Sequence, residues 1–245
     1  MPKTYKTEII GYRFEELSDD IKQELYQRDY DSFAEMVEFE PIEEGFKEII
    51  VERYGAELDD EYFLLWYDVS YTQGSGASCT VDLDVDTVLS KLLDGSQYDG
   101  SLPAKLHFVS EQRKKGNIDI PEIRVVRCGP SNFYNHENTC RVEVIYNNNI
   151  ESAVAAQDLD EAIEHIEEHL TERIRELLIE FHGNLQEYYE ESSSFEAYYN
   201  VLSDSDNVYT VTGSIIDPTF IKNAYVIDAV QLSLDFDDQE DYSFT

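Results

Sequence analysis

A chain of 245 residues, 42% of them hydrophobic and 13% aromatic, has apolar material for one domain or two small ones and is not a disordered chain. Its 53 acidic residues against 18 basic ones give a formal net charge of −35. That balance argues against direct DNA, RNA or anionic-membrane binding and in favour of partners with basic surfaces.

Cys79, Cys128 and Cys140 are an odd set with no CxxC spacing, which argues against a disulfide framework and a structural zinc site. No apolar run approaches the roughly 18 residues of a membrane helix. The opening segment, Met1 to Phe14, does not read as a signal peptide, so the expected location is the cytoplasm.

Taken in order, residues 5–14 read as a short strand. Ser18 is a suitable N-cap for a helix carrying Ile21, Leu25, Phe33, Met36 and Val37. Pro41 stops that helix and opens another, in which Ile42, Phe46, Ile49 and Ile50 share one face and Gly55 supplies the stop. The central stretch, Trp66 to Val85, reads as a hairpin between strands at 61–71 and 77–85. Ala77, Cys79, Val81, Leu83 and Val85 alternate with polar neighbours across a glycine-bearing turn.

Asp86 is expected to cap a short helix at 87–93. Residues 104–110 and 122–128 read as strands flanking the only basic cluster, Arg113-Lys114-Lys115, and 139–146 as another strand. A long amphipathic helix follows from about Leu159 to Tyr189, with Ile163, Ile166, Leu170, Ile174, Leu177 and Phe181 on one face. A short helix at 195–202 and an alternating strand at 208–212 complete the pattern. The fold class is α+β, a mostly antiparallel sheet packed with several amphipathic helices. One domain is expected over 1–217, with an acidic, partly extended or disordered segment over 218–245.

Three motifs suggest chemistry, and each has a plainer explanation. His165-Ile166-Glu167-Glu168-His169 matches H-x-x-E-H, but helical geometry puts both histidines opposite the apolar stripe, facing water. Asp82-Leu83-Asp84-Val85-Asp86 lacks the glycine and glutamate of a calcium loop. Gln73-Gly74-Ser75-Gly76 lacks the lysine and spacing of a phosphate-binding loop and reads as turn chemistry. No catalytic, cofactor-binding or metal-binding residue is expected. His136 is the histidine best placed for a pocket, and together with the Gln73–Cys79 turn it defines a competing enzymatic reading.

In the C-terminal segment Gln231, Leu232, Leu234 and Phe236 form Q-x-x-L-x-F, which resembles the peptide that docks on the bacterial DNA polymerase III sliding clamp. Such a peptide seats its Leu and Phe in an apolar groove while Gln makes polar contacts.

Several segments together resemble an uncharacterised bacteriophage and prophage family. Tyr12 to Asp19 is similar to its F-x-E-L-S opening, and Gln73 to Cys79 to its S-Q-G-D-G-A-(S/C)-F segment. Asn132 to Thr139 resembles its Y-Y-H-E-x-(S/T) segment, and Tyr188-Tyr189 with Phe195 to Tyr198 its C-terminal half. Ser75 stands in place of the family's usual Asp, and Cys79 in place of its Phe. The resemblance marks Gln73, Gly74, Gly76 and His136 as signature residues and implies a phage origin. Members often carry the label of a toxin–antitoxin antitoxin. The expected function is inhibition or redirection of a basic, nucleic-acid-handling host protein, in the manner of a DNA mimic. The alternative is an antitoxin-like protein that neutralises a basic toxin.

Overall fold

Apolar positions sort into two separate clusters, and the chain divides into two units accordingly. One unit comprises residues 1–37 and 190–245, the other residues 38–189. The computed structural model describes residues 10–56, 58, 63–70, 72, 75–94, 102–128 and 135–217.

In the larger unit, helix α2 (Glu40–Tyr54) begins with Pro41 in its first turn and ends at Gly55, whose φ of 64° is the left-handed stop expected of it. Strands β1 (Leu64–Asp68), β2 (Gly76–Leu83), β3 (Ile118–Arg127) and β4 (Cys140–Asn148) form an antiparallel sheet in the order β1-β2-β3-β4. Helices α3 (Val85–Asp94) and α4 (Leu102–Lys114) connect β2 to β3, and α5 (Ala153–Ser192) follows β4. The α+β class and the long helix are as expected.

The hairpin at the centre of the sequence is β1–β2, with Trp66 opposite Ser78 and Tyr67 opposite Ala77. Ala77, Cys79, Val81 and Leu83 are buried against Ile50 of α2, Val88 of α3, Leu106 of α4 and the apolar stripe of α5. On the other side of the alternation, Asp82 lies opposite Arg124 and Glu143 opposite Arg124, all half-buried. The sheet thus packs one face under helices and pairs charges on the other.

Two expectations change here. Residues 104–110 are helix, because Leu102, Leu106 and Val109 recur at helical spacing and all three are buried. In β3 the register shifts between Asp119 and Glu122. Pro121 has no N–H to give to a ladder, and a bulge there tolerates its absence. The extra residue moves the inward set from Ile118 and Ile120 to Ile123 and Val125, which hides the strand's start from a simple alternation.

The cap of α3 is Asp84 rather than Asp86: its carboxylate accepts from the Thr87 N–H at 2.7 Å, and Asp86 pairs instead with Arg113. The Thr87 hydroxyl and N–H together hold the Asp84 carboxyl below its ordinary range.

Helix α5 also completes the sheet. Side chains four apart on a helix rise about 6 Å, and strand residues two apart about 6.8 Å, so the two repeats run nearly in step. Glu167 accepts from the Val144 N–H at 2.7 Å, Thr171 accepts from the Val142 N–H at 2.8 Å, and Arg175 donates to the Cys140 carbonyl at 3.0 Å. These three residues stand where a fifth strand would stand and satisfy three backbone groups on the edge of β4.

In the smaller unit a 3-10 turn (Phe14–Glu16), helix α1 (Asp19–Ala34) and helix α6 (Phe195–Ser203) surround an aromatic core of Phe14, Tyr198 and Tyr209. Phe14 meets Tyr198 edge-on at 6.0 Å, and Tyr26 meets Phe195 at 5.5 Å. Ser18 precedes α1 and Ser194 caps α6, accepting from the Ala197 N–H at 3.2 Å. The described part of the expected strand at 5–14 contributes only one bridge, Tyr12 to Tyr209. The strand expected at 208–212 reduces to Tyr209, which also bridges Ile215.

Candidate functional site

The signature residues that fall within the described chain meet at the start of β2. A β-carbon at Gly76 would lie 2.6 Å from the Asn135 carbonyl oxygen and 3.1 Å from the His136 Cα. Glycine is therefore required by close approach of two backbones. Asn135 donates to the Tyr67 carbonyl at 3.1 Å and accepts from Arg127 at 3.1 Å. The Arg127 guanidinium lies 4.9 Å from the centre of the Trp66 ring, a cation–π distance.

His136 closes a 3-10 turn (Glu137–Thr139), and its Nδ1 accepts from the Asn138 N–H at 3.2 Å, with the Glu137 carboxylate 3.0 Å away. The His136 carbonyl accepts from the Thr139 hydroxyl at 2.7 Å. His136 and Gly76 thus form one structural junction joining the β2 turn to the entry of β4. Gln73 and Gly74, the other two signature residues, lie outside the described residues, as do Gln231, Leu232, Leu234 and Phe236.

Of the Gln73–Cys79 turn and His136, which the enzymatic reading combines, Gly76 lies against the His136 backbone while Cys79 is buried in the core. Cys79 is fully buried, and its backbone engages the Cys140 sulfur, whereas the His136 ring is held by its own turn.

The H-x-x-E-H segment departs from expectation in one respect. His165 is exposed and bonds back to the Glu161 carbonyl at 3.0 Å, but His169 is half-buried, and desolvation lowers its pKa. The reason is helical position: His169 stands three residues after the buried Ile166, on the flank of the apolar stripe opposite Glu167 and Thr171. Among the described residues no three His, Cys, Asp or Glu side chains converge on a metal-binding position. No helix among them is long and apolar enough to cross a membrane.

Beside the ladder, Glu161, Glu164, Glu168, Glu172 and Glu176 recur every three or four residues on the exposed side of α5. Glu176 pairs with Arg173 at 2.8 Å. Among the described residues Glu164, Glu168 and Glu172 carry no Lys or Arg partner. In the smaller unit Glu190, Glu191 and Glu196 line an open depression of about 560 Å³. In the larger unit a groove of about 150 Å³ lies between Ile42, Gly45 and Phe46 of α2 and Leu177 and Phe181 of α5. That is below the roughly 300 Å³ at which small-molecule pockets begin.

The sequence did not disclose Trp66 with Arg127 and Asn135, the Glu167–Thr171–Arg175 ladder or the Cys79–Cys140 contact. Only the ladder left a signal, a polar i, i+4, i+8 row flanking the apolar stripe. No protein-family model, curated protein or solved structure matches this chain.

Proposed function

We propose that this chain is a bacteriophage-encoded acidic protein that acts in the host bacterial cytoplasm. There it binds a nucleic-acid-handling host protein and inhibits or redirects it, as an anti-defence or host-takeover factor. The observation that carries this reading is the row of exposed carboxylates at Glu164, Glu168 and Glu172, which have no Lys or Arg partner among the described residues, on a chain of net charge −35.

Five carboxylates from Glu161 to Glu176 span about 22 Å of helix, roughly one per 5 Å. Duplex DNA carries about one charge per 1.7 Å. The row therefore offers a polyanion of lower density than DNA, and the surplus charge across the rest of the chain draws the basic partner in at long range. The phage origin rests on the F-x-E-L-S and glycine-turn segments. The hexapeptide Gln231 to Phe236 adds a separate handle for the sliding clamp.

The test is capture from bacterial lysate at moderate salt. Tagged protein is expected to retain DNA-binding, defence or replication proteins and to release them as salt rises. A Glu164→Lys, Glu168→Lys, Glu172→Lys variant is expected to lose them while its far-ultraviolet circular dichroism is unchanged. Recovery of no such protein refutes the reading. Recovery of one small basic toxin instead supports the antitoxin-like alternative. The clamp handle is tested separately, since Leu234→Ala with Phe236→Ala should abolish binding to purified clamp and leave the other captures intact.

A further inference from the structure

Two of the three cysteines meet in the core of the larger unit, although 61 positions separate them in the chain. The Cys140 sulfur lies 3.3 Å from the Cys79 backbone nitrogen, accepting its N–H, and 3.5 Å from the Cys79 carbonyl, to which its S–H can donate. Both residues are buried, at 0% and 1% exposure, among otherwise aliphatic side chains. We propose that Cys79 and Cys140 are an oxidation site, closed to an intramolecular disulfide by a small neutral hydroperoxide and reopened by thiols.

The surroundings give the two sulfurs different roles. Hydrogen bonding from Cys79 pulls the Cys140 thiol below its ordinary range, helped by the Thr139 hydroxyl and the nearby Arg127 guanidinium. The same hydrogen bond, together with burial, pushes the Cys79 thiol well up. Cys140 is the sulfur that ionises and attacks, and Cys79 keeps its proton until the second step.

In the first step the Cys140 thiolate attacks one oxygen of hydrogen peroxide. The O–O bond breaks, hydroxide leaves, and Cys140 becomes a sulfenic acid. In the second step the Cys79 sulfur attacks the sulfenic sulfur, forming the S–S bond and releasing the oxygen as water. The two cysteines lose two electrons and two protons, and the peroxide is reduced to two waters.

The third cysteine supplies an internal control. Cys128 is half-exposed and its N–H bonds to the Thr139 carbonyl, so it sits near the pair in the fold yet makes no contact of this kind with either sulfur. Cys140 is 1% exposed, so any oxidant must reach it by a narrow route through the fold. A water-sized, uncharged oxidant suits that route better than a bulky disulfide, and it is not repelled by the acidic surface.

The experiment treats the full chain with hydrogen peroxide, alkylates free thiols after denaturation, digests it and maps the products by mass spectrometry. Free thiols are expected to fall from three to one, with a single cross-linked peptide pair joining Cys79 to Cys140 and a loss of two hydrogens. Dithiothreitol should restore all three. A Cys128→Ser variant should form the same cross-link. A Cys79→Ser variant should form none and should accumulate a Cys140 sulfenic acid that dimedone traps. Oxidation confined to Cys128, a Cys128–Cys140 link, or a disulfide between two chains would each overturn the proposal. Because the mapping is done on the natural sequence, failure of the Cys79→Ser variant to fold leaves the decisive result intact.

Discussion

Replacing Gly76 by alanine tests the junction between the β2 turn and the β4 entry. The new methyl carbon would sit 2.6 Å from the Asn135 carbonyl oxygen, and both contacting atoms are backbone, so no side chain can swing aside. Forcing one carbon into so tight a contact costs about 1–3 kcal/mol. For a protein of this size that corresponds to roughly 2–12 °C of melting temperature.

The comparison that isolates the contact is Gly45→Ala, in the interior of α2, where an added methyl meets nothing within 4 Å. That substitution should raise stability by about 0.5–1 kcal/mol, because glycine is a poor helix former. Both changes restrict the unfolded chain in the same way, so their difference reports the folded contact. Thermal denaturation followed by far-ultraviolet circular dichroism suffices. If Gly76→Ala melts at or above the parent, or if Gly45→Ala loses as much as Gly76→Ala, the junction does not constrain the fold as described.

The ladder and the α3 cap give two further predictions. Glu167→Ala should cost about 1–3 kcal/mol by stranding the Val144 N–H, whereas Glu167→Gln keeps an acceptor and removes a carboxylate. Burial raises the Glu167 pKa above its unfolded value, so its ionisation-linked contribution is full below the ordinary glutamate range and is lost as pH rises through the folded value. Urea titrations should therefore show Glu167→Gln gaining on the parent as pH is raised from 4 to 7, and a constant difference would contradict this. Asp84→Ala should cost about 0.5–2 kcal/mol at neutral pH through loss of the cap. The Asp84 pKa is depressed, so its contribution is present above the unfolded value and lost as pH falls through the folded one. The parent and variant should accordingly converge in acid.

What could be read from the sequence followed from how locally each feature is encoded. The α2 boundaries at Pro41 and Gly55, the β1–β2 hairpin and the long α5 each depend on residues within one or two turns of one another. The α4 segment was misread because its three buried positions, Leu102, Leu106 and Val109, are too few to outweigh its apolar run as a strand signal. The start of β3 was missed because the bulge at Pro121 reverses which alternate residues point inward. The Gly76 requirement could be suspected but not explained, since the carbonyl that enforces it belongs to Asn135, far along the chain. The Cys79–Cys140 contact was likewise invisible: cysteine spacing carries no register, and only the assembled sheet brings β2 and the first residue of β4 together.

The ladder on β4 has a consequence for how this protein stays dispersed. Mutual repulsion between highly charged chains is a long-range effect that salt shortens, from a Debye length of about 10 Å at 0.1 M to about 3 Å at 1 M. A hydrogen-bonded edge does not weaken in that way. With the Val142 and Val144 N–H groups already engaged by Thr171 and Glu167, a strand from another molecule finds those two donors occupied. Along that edge, resistance to strand-by-strand aggregation should persist in brines that silence the charge.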